Sequence, residues 1–147
     1  MSDTSRLLFH LAALGSVAAS LAHVWAILAG PEAYANLGAP PDIVASAEAG
    51  TLYAPMTTLI IATVIFGWAI YAWSALQILP RMPLLRTGLI AIAAVLILRG
   101  LMLLPALFIV FEDLRPFDYW SSVICFGLGL LYALGLRANW HLLGKQS

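Results

Sequence analysis

Arg99 stands in the apolar run AVLILRGLMLLP, Ala94 to Pro105, and its nearest charged neighbours along the chain are Arg86 and Glu112. A guanidinium stays protonated and carries five donors, so a hydrocarbon setting forces it onto acceptors, water or an anion. Counting residues at about 1.5 Å each places His23 some 6 to 9 Å nearer the outer surface than Arg99, and Tyr71 at least about 6 Å nearer the inner one. Helical side chains lean toward their own N-terminus, which favours Tyr71 as the direct partner. Pro105 offers a second acceptor, because it cannot donate to the carbonyl of Leu101. These partners are neutral, and the apolar spans contain no carboxylate. A counter-ion must come from Glu48 if its loop dips inward, from an anionic ligand or lipid headgroup, or from another subunit. The candidate ligand-binding set is therefore Arg99, His23, Tyr71, Glu48 and Tyr53. Against it stands a purely mechanical role, with Arg99 clamping helices, His23 packing between them, and Glu48 and Tyr53 forming a solvated rim.

Other chemistries find less support. Haem needs axial ligands projecting into one level of a bundle, whereas His10 and His141 fall near the inner ends of their helices and His23 has no histidine at matching depth. Ser16, Ser20, Ser121 and Ser122 lack an aspartate and histidine in nucleophilic arrangement, and there is no glycine-rich phosphate loop. Cys125 is the one cysteine, so an internal disulfide or a CxxC pair is excluded and zinc has no ligand set. The expectation is no catalytic residue, no metal and no cofactor.

The elements that position these residues follow from composition. The 147 residues are 63% hydrophobic and 10% charged, far from the balance of a soluble domain. A net charge of zero offers no basic patch for nucleic acid. A bilayer core about 30 Å thick needs about 20 helical residues, and four runs supply them: Leu7 to Ala29, Pro55 to Leu79, Thr87 to Phe111 and Tyr119 to Leu136. The first is too long and too weakly basic in its lead-in for a cleaved signal and is expected to remain. The whole is a single all-α membrane domain, a four-helix bundle with an outer loop at 30–54 and a tail at 137–147. Arg6, Arg81, Arg86, Arg137 and Lys145 fall on one side and Arg115 on the other, which predicts both termini in the cytoplasm. Asp3 lies inside, whereas Glu32, Asp42, Glu48, Glu112, Asp113 and Asp118 lie outside.

In the outer loop, Pro41, Asp42 and Gly50 bracket a short helix over 42–49, with Ile43, Val44 and Ala47 on its apolar face, expected to lie in the interface as a lid. Trp25, Tyr34, Tyr53, Tyr119 and Trp120 fit an outer aromatic belt, and Trp140 an inner anchor. Small residues mark helix contacts in lipid. Ala12, Ser16 and Ser20 form one such stripe and Gly15, Ala19 and His23 another. Gly127, Gly129 and Gly135 offer close approach in the fourth span, and Gly67, Tyr71 and Ser74 share a side of the second.

AGPEAY (Ala29 to Tyr34), PLLRTGL (Pro83 to Leu89) and LRGL (Leu98 to Leu101) together resemble a group of uncharacterised small proteobacterial inner-membrane proteins, over residues 23 to 101. The resemblance implies a bacterial inner-membrane location and no particular activity. The expected function is binding or carrying an anionic or amphipathic lipophilic molecule in a polar intramembrane pocket around Arg99, inside the bundle and opening outward beneath the 31–54 loop, with membrane lipids as neighbours. The alternatives are a non-catalytic membrane subunit or assembly factor, paired with copies of itself or with another membrane chain, and, with less support, a membrane-embedded enzyme or haem-binding subunit.

Overall fold

The computed structural model describes residues 1–110, 112 and 114–144. Phe111, Asp113 and the tail residue Lys145, which figure in the expectations above, lie outside the described residues. The described chain is helical, and four helical stretches, the third of them running from Leu85 to Ile109, are long and apolar enough to cross a membrane.

The first, α1 (Asp3–Ala29), starts earlier than the hydropathy run because Ser2 caps it, its hydroxyl accepting from the Ser5 amide at 3.3 Å, with Asp3 in the first turn. It stops at Gly30, whose φ of 87° is one that side chains rarely adopt. Two short helices follow, α2 (Pro31–Asn36) and α3 (Pro41–Glu48), each opened by proline at its first position. The helix α3 matches the predicted one within a residue, whereas α2 had no counterpart in the sequence reading. Ala26, Ala33, Tyr34, Ile43 and Ala54 form a buried cluster that seats both on the ends of α1 and α4 (Tyr53–Ala75), so Tyr34 packs inward and does not join the outer aromatic belt expected for it. Ser46 ties this cap down: its hydroxyl accepts from the Ala54 amide at 2.9 Å and so satisfies the first turn of α4 from a distant residue.

The third span departs from the uninterrupted helix expected over 87–111. It is α5 (Leu85–Leu101) followed by α6 (Leu103–Ile109), with the break at Met102. Pro105 explains the interruption, since it can neither donate to the Leu101 carbonyl nor avoid crowding it. The fourth span, α7 (Pro116–Ala138), gains a turn over the prediction: Pro116 fills its first position and the Asp118 carboxylate accepts from the Arg115 amide at 2.8 Å. A final short helix, α8 (Trp140–Gly144), completes the described chain.

The helices pair as α1 on α4 and α5 on α7, and α1 against α7 joins the two pairs. Tyr132, with no exposed surface, stands at that junction. Its hydroxyl donates to the Trp68 carbonyl on α4 at 2.9 Å and meets the Ser16 hydroxyl on α1 at 2.9 Å. With its one proton committed to Trp68, the phenol receives the Ser16 proton, so both buried hydroxyls are satisfied where no water is at hand. Ser20 donates to the Ala62 carbonyl at 2.8 Å. Ala12, Ser16 and Ser20 are buried as expected, while Gly15, Ala19 and His23 are half-buried. On α7, Gly129 lies against Ile97 and Leu96, and Gly135 against Phe9. Gly127 departs from expectation: it faces open space, and the second close approach in the α5–α7 seam is Gly100 on α5, against the backbone of Phe126. Gly67 likewise meets nothing nearby.

Only 22 to 28% of the most apolar window of each long helix is buried within the bundle. Leu14, Leu28, Leu98, Phe108 and Ile109 are all more than 60% exposed. Water would not tolerate so continuous an apolar surface, and lipid does.

Candidate functional site

Arg99 occupies the last turn of α5, where the unpaired carbonyl ends of the helix favour a cation. The Gly100–Phe126 and Gly129–Ile97 contacts set the antiparallel register of the seam and bring the Arg99 backbone level with Gly127. The guanidinium does not stay at that level. Its Nη1 donates to the Ser122 hydroxyl at 3.2 Å and its Nη2 to the Ser121 hydroxyl at 3.3 Å, five or six residues nearer the start of α7. That is a reach of about 8 Å toward the loop end of the bundle.

The expected partners are therefore replaced. Tyr71 donates to the Pro83 carbonyl at 3.3 Å and packs on Gly88, which holds it at the hairpin between α4 and α5, at the opposite end from the guanidinium. The N-terminal lean that favoured Tyr71 is a preference of χ1. It yields here because the long arginine stem reaches two hydroxyls and the nearer end of the bundle in the other direction.

His23 is half-buried and its Nδ1 lies 2.8 Å from the Ala19 carbonyl of its own helix. Seven residues beyond Ser16, whose partner is Tyr132, it comes level with about Cys125 of α7. Glu48, at the end of α3, and Tyr53, at the start of α4, are exposed at the same end. Among the described residues no hydrogen bond joins any two of Arg99, His23, Tyr71, Glu48 and Tyr53.

The residues that complete the site are Ser121 and Ser122. Ser122 is 2% exposed, and Ser121 also donates to the Asp118 carbonyl at 3.3 Å. Weighed only as nucleophiles, they carry no signal; weighed as a hydroxyl pair opening the helix that follows an arginine-bearing one, they would have stood out. Arg99 itself is exposed at the bundle surface and not enclosed in a pocket inside the bundle as expected, because its long stem runs along the α5–α7 seam to hydroxyls near the start of α7. Among the described residues, Ser121 and Ser122 engage two of the five guanidinium donors. The arrangement can hold an oxyanion against a fixed positive charge. The ion pair formed among the described residues is Arg115 with Asp118 at 3.9 Å, outside this site. Compared with family models, with curated proteins and with solved structures, the chain matches none.

Proposed function

We propose that this is a multi-pass protein of the bacterial inner membrane that binds an anionic or amphipathic lipophile through Arg99. The observation that carries this reading is a permanent positive charge on the lipid-facing side of the α5–α7 seam, supported by the neutral hydroxyls of Ser121 and Ser122. Hydroxyls orient a guanidinium without cancelling its charge, so the balance falls to a phosphate or carboxylate in the surrounding phase. Both termini lie in the cytoplasm on this reading: Arg6, Arg81, Arg86 and Arg137 share the terminal end of the bundle, and Arg115 is at the loop end. Arg99 then faces the outer leaflet.

A second reading, a non-catalytic subunit or assembly factor, draws on the same exposure, because a carboxylate on a neighbouring transmembrane helix would serve as counter-ion equally well. Native mass spectrometry of the purified protein separates the two. With phosphatidylglycerol supplied, the binding reading expects a retained lipid that Arg99→Met loses while the variant stays folded. If the wild-type chain retains no lipid through Arg99 and unfolds without a second polypeptide, the subunit reading replaces it.

A further inference from the structure

We propose that the α5–α7 seam carries a second, separate site at the terminal end of the bundle, which binds one anionic phospholipid of the adjoining leaflet. A groove of about 400 Å³ runs between the two helices there, within the size range of ligand pockets. Its walls are apolar, and Ala93 and Ala94 on α5 with Ala133 on α7 account for its depth. Gly100 and Gly129 clamp the helices together farther along, and alanines below that clamp are too short to fill the space. From Ile90 to Ile97 the groove follows α5 for seven residues, about 10 Å, room for part of an acyl chain.

The end of the groove is built differently. Arg137 and Trp140 form it. The Trp140 indole is pinned by Arg86, whose guanidinium carbon lies 3.8 Å from the ring centroid and whose Nη2 donates to the Trp140 carbonyl at 2.6 Å. Arg86 Nε, buried, has no partner among the described residues. Arg137 is exposed in the last turn of α7. Trp140 and Arg137 at the mouth of an apolar trough, with Arg86 stacked on the indole, match the interfacial and headgroup levels of a phospholipid. Charge complementarity selects an anionic one. Arg6, Arg81, Arg86 and Arg137 share this end, where Asp3 is the one carboxylate among the described residues.

The site is independent of Arg99, which belongs to the opposite end of the seam, and its test is built to keep them apart. The full-length chain in a neutral detergent is given phosphatidylglycerol or phosphatidylcholine of the same acyl chains, and retained lipids are counted by native mass spectrometry. Occupancy of this site by phosphatidylglycerol is expected to exceed that by phosphatidylcholine about tenfold and to fall about fivefold in Arg137→Gln, from roughly 1 kcal/mol per basic residue near the surface. Ala94→Phe, which fills the groove from an exposed position, abolishes binding of both lipids here. Arg99→Met leaves the adduct in place. Equal binding of the two lipids, an unchanged count in Arg137→Gln, or a lipid-free dimer that Ala94→Phe dissociates would each overturn the proposal. Should Ala94→Phe fail to fold, the exposed Arg137→Gln decides alone. Failure of the Arg99 reading shows differently, as a wild-type count that Arg99→Met does not lower.

Discussion

Replacing Arg99 with methionine keeps the length and helix propensity of the side chain while removing its charge. Two opposing changes follow. The variant loses the bonds to Ser121 and Ser122, and hydrogen bonds to charged groups are worth about 1.5–3 kcal/mol each when well buried. One of these two is exposed and the other partly so, which places their sum near 2 kcal/mol. In return the membrane no longer accommodates a guanidinium, a cost of about 2.5–3.5 kcal/mol at mid-bilayer and less at the depth of Ser121. Ser122, left behind, can turn its hydroxyl to the Asp118 carbonyl one turn earlier, much as Ser121 does. The terms nearly cancel, so Arg99→Met is expected to melt within about 4 °C of the wild type in neutral detergent, at about 2–4 °C per kcal/mol for a chain of this size. Phosphatidylglycerol at a hundredfold excess over its dissociation constant adds about 2.7 kcal/mol per occupied site. The wild type should therefore rise by about 5–10 °C for each site filled, and Arg99→Met should lose one site's share. The readout is thermal unfolding with and without lipid. A variant that melts more than about 8 °C below the wild type whether or not lipid is present would refute this reasoning and make Arg99 a clamp between α5 and α7.

Tyr132→Phe removes the hydroxyl shared by α1, α4 and α7 and is expected to cost about 1–3 kcal/mol in chemical or thermal unfolding. The cost shrinks in a Ser16→Ala background, where no hydroxyl is stranded, and strict additivity of the two changes would contradict the Ser16–Tyr132 bond. Gly100→Ala sets a methyl 2.6–2.8 Å from Phe126, including its backbone, and should lower stability by about 1–3 kcal/mol. Gly127→Ala, which meets open space, should be neutral or stabilise by up to about 1 kcal/mol through its better helix propensity, and the reverse ranking in melting temperature would mean that the seam is wrongly registered. A reporter active only in the cytoplasm should work when fused after Ser147 and stay silent when inserted at Gly38; activity at Gly38 alone would invert the proposed orientation.

Features that depend on short-range chemistry were legible in the residue order. Hydropathy marks the four long helices because each must match its own backbone hydrogen bonds and its own apolar surface to lipid, whatever its neighbours do. Pro41 and Gly50 delimit α3 because proline and glycine act on local dihedral angles. The stripe of Ala12, Ser16 and Ser20 points to the buried face of α1 because close packing in lipid needs small groups. Arg99 announced itself as the one charge inside an apolar run.

What only the tertiary structure decided is which helices pair, and which atoms then meet. A lipid-facing helix is apolar on both sides, so its pattern does not say which way it faces. Gly127 and Gly129, two residues apart, point about 200° apart around α7, and only the pairing with α5 makes Gly129 a contact and leaves Gly127 free. The direction of Arg99 has the same origin. Its choice of Ser121 and Ser122 over Tyr71 depends on α7 lying against α5 in a register set by Gly100 and Phe126. A single chain of letters holds those residues at separations of about 22 and more, and only the packing of whole helices brings them within hydrogen-bond distance.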